Sequence, residues 1–288
     1  AVGSGDDLGV QKITGQCNVS ITESVFNLGH DYFCSGDTYG FSIDNDNVTF
    51  DCQNHTINCQ GNCNDSDAVG IKIVNQSGVI IQNCRVFNFT VGIQASNSTS
   101  ELLLNSNFLQ NNTQAIMFDN VTLSNTTANE VLDSSICGIN LTNSNIASSD
   151  NYNNIWNNII ANNTNNACAG TTDYSYWSLS KNCASTNIIG GPCLGGNYWG
   201  DYSGWDSTGD ALGDNLVPHK GGAITTVDPF GDLNPLVALN GSCPLLWSVS
   251  TNLNQNFTSA ANSGECFALV GNDMVLDCQG NRLTGIGN

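Results

Sequence analysis

Between residues 41 and 167 the apolar positions come in short alternating runs, separated by Asn, Ser and Gly. Period two over runs of this length predicts strands rather than helices. Aligned on a small residue before an apolar one, four runs fall in step: VGIKI (69–73), VGIQA (91–95), QAIMF (114–118) and CGINL (137–141). Gly70, Gly92, Ala115 and Gly138 mark a spacing of about 22 to 23 residues. Each unit also carries a second short run: VTFDC, GVIIQNC, ELLLNSN or VTLSN. No proline lies in the region to break a hydrogen-bond ladder. Strands at this fixed period predict an all-β chain, a parallel β-helix of about 22-residue coils, each coil advancing by roughly 4.8 Å. Ile71, Ile93, Ile116 and Ile139 are expected to stack as one interior ladder, and Phe50, Ile81, Leu104 and Leu123 as another. Asn83 and Asn105 are expected in stacked polar rows at the corners.

A longer repeat lies over the short one. Residues 17–62 and 243–288 align without gaps at an offset of about 226, matching Cys17 with Cys243, Phe41 with Phe267, and Asp51-Cys52-Gln53 with Asp277-Cys278-Gln279. Residues 4–13 (SGDDLGVQKI) parallel 65–74 (DSDAVGIKIV). The organisation expected is therefore 1–16 as a coil completing a preceding module and 17–189 as the β-helix. Residues 190–242 are expected to form a Trp/Asp/Gly-rich cap and connector, and 243–288 the opening of a second module. An opening strand edge matched by the chain's own head predicts head-to-tail contact with further copies of itself, as subunits or as modules of one polypeptide. The start at Ala1 reads as a mature or excised form.

Charge narrows the partners. Six Lys plus Arg against 25 Asp plus Glu give a net charge of −19, so no basic face for nucleic acid can be built. No apolar stretch reaches the roughly 18 residues of a membrane span, and no membrane insertion is expected. Thirteen cysteines point to an oxidising compartment. The candidate pairs are Cys17–Cys34, Cys243–Cys266, Cys59–Cys63, Cys183–Cys193 and Cys137–Cys168. Cys52, Cys84 and Cys278 read either as bridged between coils or as small buried thiols. The acceptor pattern N-x-[ST] occurs at Asn18, Asn47, Asn54, Asn64, Asn75, Asn88, Asn97, Asn111, Asn120, Asn125, Asn140, Asn162, Asn240 and Asn256. About half of these would arise by chance from the composition; the excess points to covalently attached glycans on an extracellular or cell-surface protein.

Residues 190–215 (GGPCLGGNYWGDYSGWDSTGDALGDN) and 228–237 (DPFGDLNPLV) are more specific. They resemble the closing segment of NosD-like domains, within the carbohydrate-binding and sugar-hydrolase β-helix group common in archaeal surface proteins. The resemblance covers most of 17–237 and again 243–288. It implies a right-handed β-helix and little about activity, since such folds host both enzymes and scaffolds.

Candidate chemistry is sparse. A polysaccharide lyase or hydrolase needs grouped carboxylates, and a lyase also a cationic base. Within residues 69–167 the β-helical stretch offers only Lys72 and Arg85 as cations, with unclustered Glu101, Asp119, Glu130, Asp133 and Asp150. His30, His55 and His219 are scattered, and His55 becomes Asn281 in the second copy. Asp201, Asp206, Asp210 and Asp214, interleaved with Gly, offer oxygen ligands suited to Ca2+, or else a solvated acidic loop. Tyr198, Trp199, Tyr202 and Trp205 could stack on sugars or plug the end of the coil stack. The expectation is a non-enzymatic, glycosylated structural protein of an extracellular filament or stalk. A polysaccharide-binding adhesin module is the alternative, and a polysaccharide lyase or hydrolase the third.

Overall fold

The structure is a computed structural model. It describes residues 17–36, 38–61, 68–98, 100–144, 152–170, 173, 175–204, 206–224 and 231–238, with strand backbone at 245–247, 251–252, 257–258, 267–269, 276–277 and 283–284. Three parallel sheets form the body. Sheet A has eight strands: Val19–Ile21, Tyr39–Ile43, Val69–Val74, Val91–Ser96, Gln114–Asp119, Cys137–Thr142, Asn165–Ala169 and Gly222–Ile224. Sheet B has seven: Val25–Asn27, Thr49–Asp51, Ile80–Gln82, Leu103–Asn105, Asn125–Thr127, Asn153–Trp156 and Ser175–Tyr176. Sheet C has seven: Tyr32–Cys34, Thr56–Cys59, Arg85–Phe87, Phe108–Gln110, Glu130–Leu132, Ile159–Ala161 and Tyr198–Trp199. The chain visits A, B and C in turn and pairs each strand with its counterpart one coil away. This is a right-handed parallel β-helix.

The interior follows the two-residue alternation. Phe41, Ile71, Ile93, Ile116 and Ile139 stack in register through sheet A, and all are fully buried. Through sheet B the inner column runs Phe26, Phe50, Ile81, Leu104, Thr126 and Ile155. Leu123, expected in that column, is exposed and has φ 58°. The run VTLSN makes a corner in which Val121 points inward; Thr126, three residues after Leu123, takes the ladder position.

Corners between sheets need single residues in the left-handed region, which Asn tolerates best after Gly. Asn75, Asn97, Asn120 and Asn143 serve between sheets A and B, Asn83 and Asn157 between B and C, and Asn88, Asn111 and Asn162 between C and A. The stacked polar row differs from the expected one. Asn105 lies outward on its strand and Asn83 turns the corner, whereas the buried row is Asn107, Asn129, Asn158 and Asn197. Each occupies the position just inside the corner. The Oδ1 of Asn129 accepts from the backbone N–H and the Nδ2 of Asn107, and the Nδ2 of Asn129 reaches Leu104 O and Thr127 O.

Earlier in the same row stand Cys84 and Cys52, joined as a disulfide, and Cys84 N–H donates to Asn107 Oδ1. Further disulfides pair Cys17 with Cys34, Cys137 with Cys168, and Cys183 with Cys193. Cys59 is also disulfide-bonded. Cys63, Cys243, Cys266 and Cys278, and the segment 1–16, lie outside the described residues.

The sheets run past residue 189 into the stretch expected as cap, through Tyr198–Trp199 and Gly222–Ile224. Beyond it, three strand pairs open again in parallel: Leu245–Trp247 with Phe267–Leu269, Thr251–Asn252 with Leu276–Asp277, and Phe257–Thr258 with Leu283–Thr284. The pairing Leu245↔Phe267 repeats Val19↔Phe41 at the aligned positions of the longer repeat.

Candidate functional site

The buried Asn row ends where several polar and aromatic groups converge at the last coil. Asn197 Nδ2 donates to Ile155 O and Trp177 O, while its backbone N–H donates to Asp232 Oδ2 at 2.6 Å. The same Oδ2 accepts from Trp199 Nε1 at 2.8 Å, and Oδ1 accepts from Asn234 N–H. Trp177 and Trp199 are each 1% exposed, with ring centroids 5.5 Å apart. They close the end of the apolar interior. His219 packs against Trp199 and Tyr202, and its Nε2 lies 3.1 Å from Asp201 Oδ1.

Asp232 is fully buried, and burial pushes its carboxyl up to about 7 against the three N–H donors that favour the charged form. Asp201 goes the other way. Burial raises it, but hydrogen bonds from His219 and Asn166, helped by the His219 charge, hold it below the ordinary carboxylate value.

The acidic loop is a different arrangement from a cation cage. Asp201 faces His219 and Asn166, apart from the other three acids. Asp206 accepts from the N–H groups of Thr208, Gly209 and Ala211. One Asp214 oxygen takes the N–H and hydroxyl of Ser207 and the N–H of Thr208. Asp210 accepts from Leu212 N–H and Thr208 Oγ1 and pairs with Lys181. Ser207 and Thr208 are thus donors that fold the loop around its carboxylates. Among the described residues, no group of three or more His, Cys, Asp or Glu converges as a metal site.

Of the aromatic residues singled out in the sequence, Trp199 is a plug, Tyr202 packs against the core and donates its hydroxyl to Asn215 O, and Tyr198 is half-buried in sheet C. Trp205 lies outside the described residues. Asp232 and Trp177 escaped the sequence reading; Asp232 sits within DPFGDLNPLV, where nothing but the fold reveals that it meets Asn197.

Of the sequon asparagines, Asn18, Asn47, Asn54, Asn75, Asn88, Asn97, Asn111, Asn120, Asn125 and Asn162 are exposed and Asn140 is half-buried. Asn64, Asn240 and Asn256 lie outside the described residues. No helix among the described residues is long and apolar enough to cross a membrane.

The stacked coils and plugged end define the class: a disulfide-stapled parallel β-helix. A model of the family described as periplasmic copper-binding protein (NosD) matches residues 9–204, more than half of the chain. The chain belongs to that family. Comparisons with curated proteins and with solved structures found no match. A periplasmic family and four disulfides make this an extracellular or periplasmic protein.

The family's description names copper, which is held by thiolates, thioethers and imidazoles. The described residues do not fit such a centre. All nine described cysteines are in disulfides. His30 stacks on Tyr32, His55 faces Asp31, and His219 faces Asp201, each alone.

Proposed function

We propose that the protein is a structural, glycosylated component of an extracellular filament or surface stalk, built from β-helical modules joined head to tail. The observation that supports this most is the repeated opening: the three-ladder start seen at 19–59 occurs again at 245–284. A parallel coil exposes one row of unpaired N–H and C=O groups at each end and grows by adding strands to it. Repeated modules of this kind are the ordinary way to build an elongated body. One further fact fits: the interior of the described body is a continuous apolar ladder from Phe41 to Ile139. The reading as a polysaccharide-binding module through the cap aromatics is weakened, because Trp177 and Trp199 have no face free for a sugar ring.

Electron micrographs of native material test the reading. Eight strands in sheet A at ~4.8 Å each give a module on the order of 40 Å long. Coaxial modules are expected as thin fibres with an axial repeat of that order. Native material consisting of separate globular particles would sink the proposal.

A further inference from the structure

The acceptor asparagines are not spread evenly over the coil. Asn75, Asn97 and Asn120 follow sheet A strands on successive coils and form one exposed row at the A–B corner. Their backbones are left-handed, with φ of 58°, 53° and 54°. Asn97 N–H donates to Asp119 O and Asn120 N–H to Thr142 O, the coil-to-coil bonds of the corner, and Asn120 Nδ2 donates to Asn97 Oδ1 at 2.9 Å. Asn88, Asn111 and Asn162 form a second exposed row at the C–A corner, with φ of 64°, 57° and 60°; Asp133 takes the place between the last two.

The need for a left-handed residue explains the asparagine, but not the hydroxyl two residues on. At the B–C corner Asn83 and Asn157 adopt the same backbone, with φ of 55° and 58°. Their second neighbours are Arg85 and Ile159, so neither is an acceptor site. At the two corners bounding sheet A the six row asparagines have hydroxyl second neighbours, Ser77, Thr99, Thr122, Thr90, Thr113 and Thr164, while Asn143 is followed by Asn145 and is no acceptor. The corner is also a convex site. A residue there is crowded only by the coils on either side, whereas one within a sheet is flanked by neighbouring strands as well. Asn140 shows the latter condition: it lies within sheet A and is half-buried, with its Nδ2 donating to Gln114 Oε1 at 2.6 Å. Asn88 and Asn120, whose Nδ2 groups donate to Asn58 Oδ1 and Asn97 Oδ1, are by contrast exposed at their corners. Asn125 lies within sheet B with Asn154 Nδ2 on its Oδ1.

We propose that Asn75, Asn97 and Asn120 on one corner, and Asn88, Asn111 and Asn162 on the other, carry N-linked oligosaccharides that form two ridges flanking sheet A. In the attaching step the bond from C1 of the first sugar to a lipid-linked phosphate breaks and the phosphate leaves with the electron pair. C1 bonds to Asn Nδ2, which gives up one proton and keeps the other. In the first row successive sites lie about 4.8 Å apart, the strand spacing; in the second, Asn111 and Asn162 stand two spacings apart across Asp133. The sugars thus line both corners of sheet A, while of the left-handed asparagines described at the B–C corner, Asn54, Asn83 and Asn157, Asn54 alone has the acceptor pattern. This deepens the reading of the chain as a glycosylated exterior protein, and it stands whether or not the chain forms fibres.

Site mapping by mass spectrometry of peptides from the native chain decides it. Sugar is expected on the six row asparagines, with Asn125 and Asn140 unmodified. Thr122→Ala and Thr113→Ala, which leave Asn120 and Asn111 in place, are each expected to lower the intact mass by one glycan. An unmodified native chain, or sugar on Asn125 and Asn140 as fully as on the rows, overturns the proposal. Micrographs without fibres beside a positive site map would remove the filament reading alone.

Discussion

At the scale of single residues the end of the coil is held by one carboxylate. Asp232 collects the final bond of the buried Asn row and the indole N–H of the plug. Its carboxyl is raised to about 7 by burial. A raised carboxyl contributes stability that is fully present below its ordinary value and is lost as pH rises through the raised one. The resulting loss between pH 5 and pH 8 is roughly 2–3 kcal/mol, or about 5–10 °C in Tm for a body of this size. Asp201, Asp210 and Asp214 are lowered instead. Their contributions disappear only in acid, outside this window. Thermal melts across pH 5–8 are expected to show Tm falling with rising pH. In Asp232→Asn, which cannot titrate, that slope is expected to flatten whatever happens to the absolute Tm; an unchanged slope would place its origin elsewhere.

At the scale of elements, the coil is a set of rows, and each row has its own chemistry. Cys52 and Cys84 occupy the row that continues as Asn107, Asn129 and Asn158, so the disulfide does between two coils what the asparagine amides do between later ones. The bridge closes a separation of 32 residues, for which the chain-entropy account gives about 3–4 kcal/mol. Cys52→Ala/Cys84→Ala is expected to lose at least that much in denaturant melts, since both side chains are fully buried and leave a cavity as well. A loss below about 1 kcal/mol would mean that this row contributes little. The sheet A ladder was legible because Gly70, Gly92 and Gly138 pin the register: a Cβ on Gly92 would come within 2.6 Å of Ala115 O. The left-handed corners were less legible. Leu123 has the size of a core residue but turns a corner, and Thr126 has a hydroxyl but fills the core without a hydrogen-bond partner. Period-two patterning cannot show where a corner begins, so the expected Asn row fell on Asn83 and Asn105 instead of the position just inside the corner. The four acids read as possible ligands were equally opaque, because the sequence does not show that loop N–H groups already fill Asp206 and Asp214.

At the scale of the whole molecule, coils stacked along one axis respond to force differently from a globule. Tension between residues 17 and 238 first peels strands from the ends of the ladder. Chain inside a closed disulfide loop cannot pay out. The four described bridges enclose separations of 17, 32, 31 and 10 residues. At about 3.4 Å per extended residue, reduction is expected to release roughly 300 Å more contour length per molecule. Single-molecule pulling with and without reductant measures this directly. The placement of the bridges gives the result a meaning beyond length. Cys52–Cys84 and Cys137–Cys168 each tie one coil to the next, so an oxidised chain is expected to yield in short steps separated by held segments, and a reduced one in a longer continuous unravelling. Equal extension in both states would show that the bridges do not limit extension. A stalk would then owe its resistance to the hydrogen-bonded ladders and the stacked apolar columns alone.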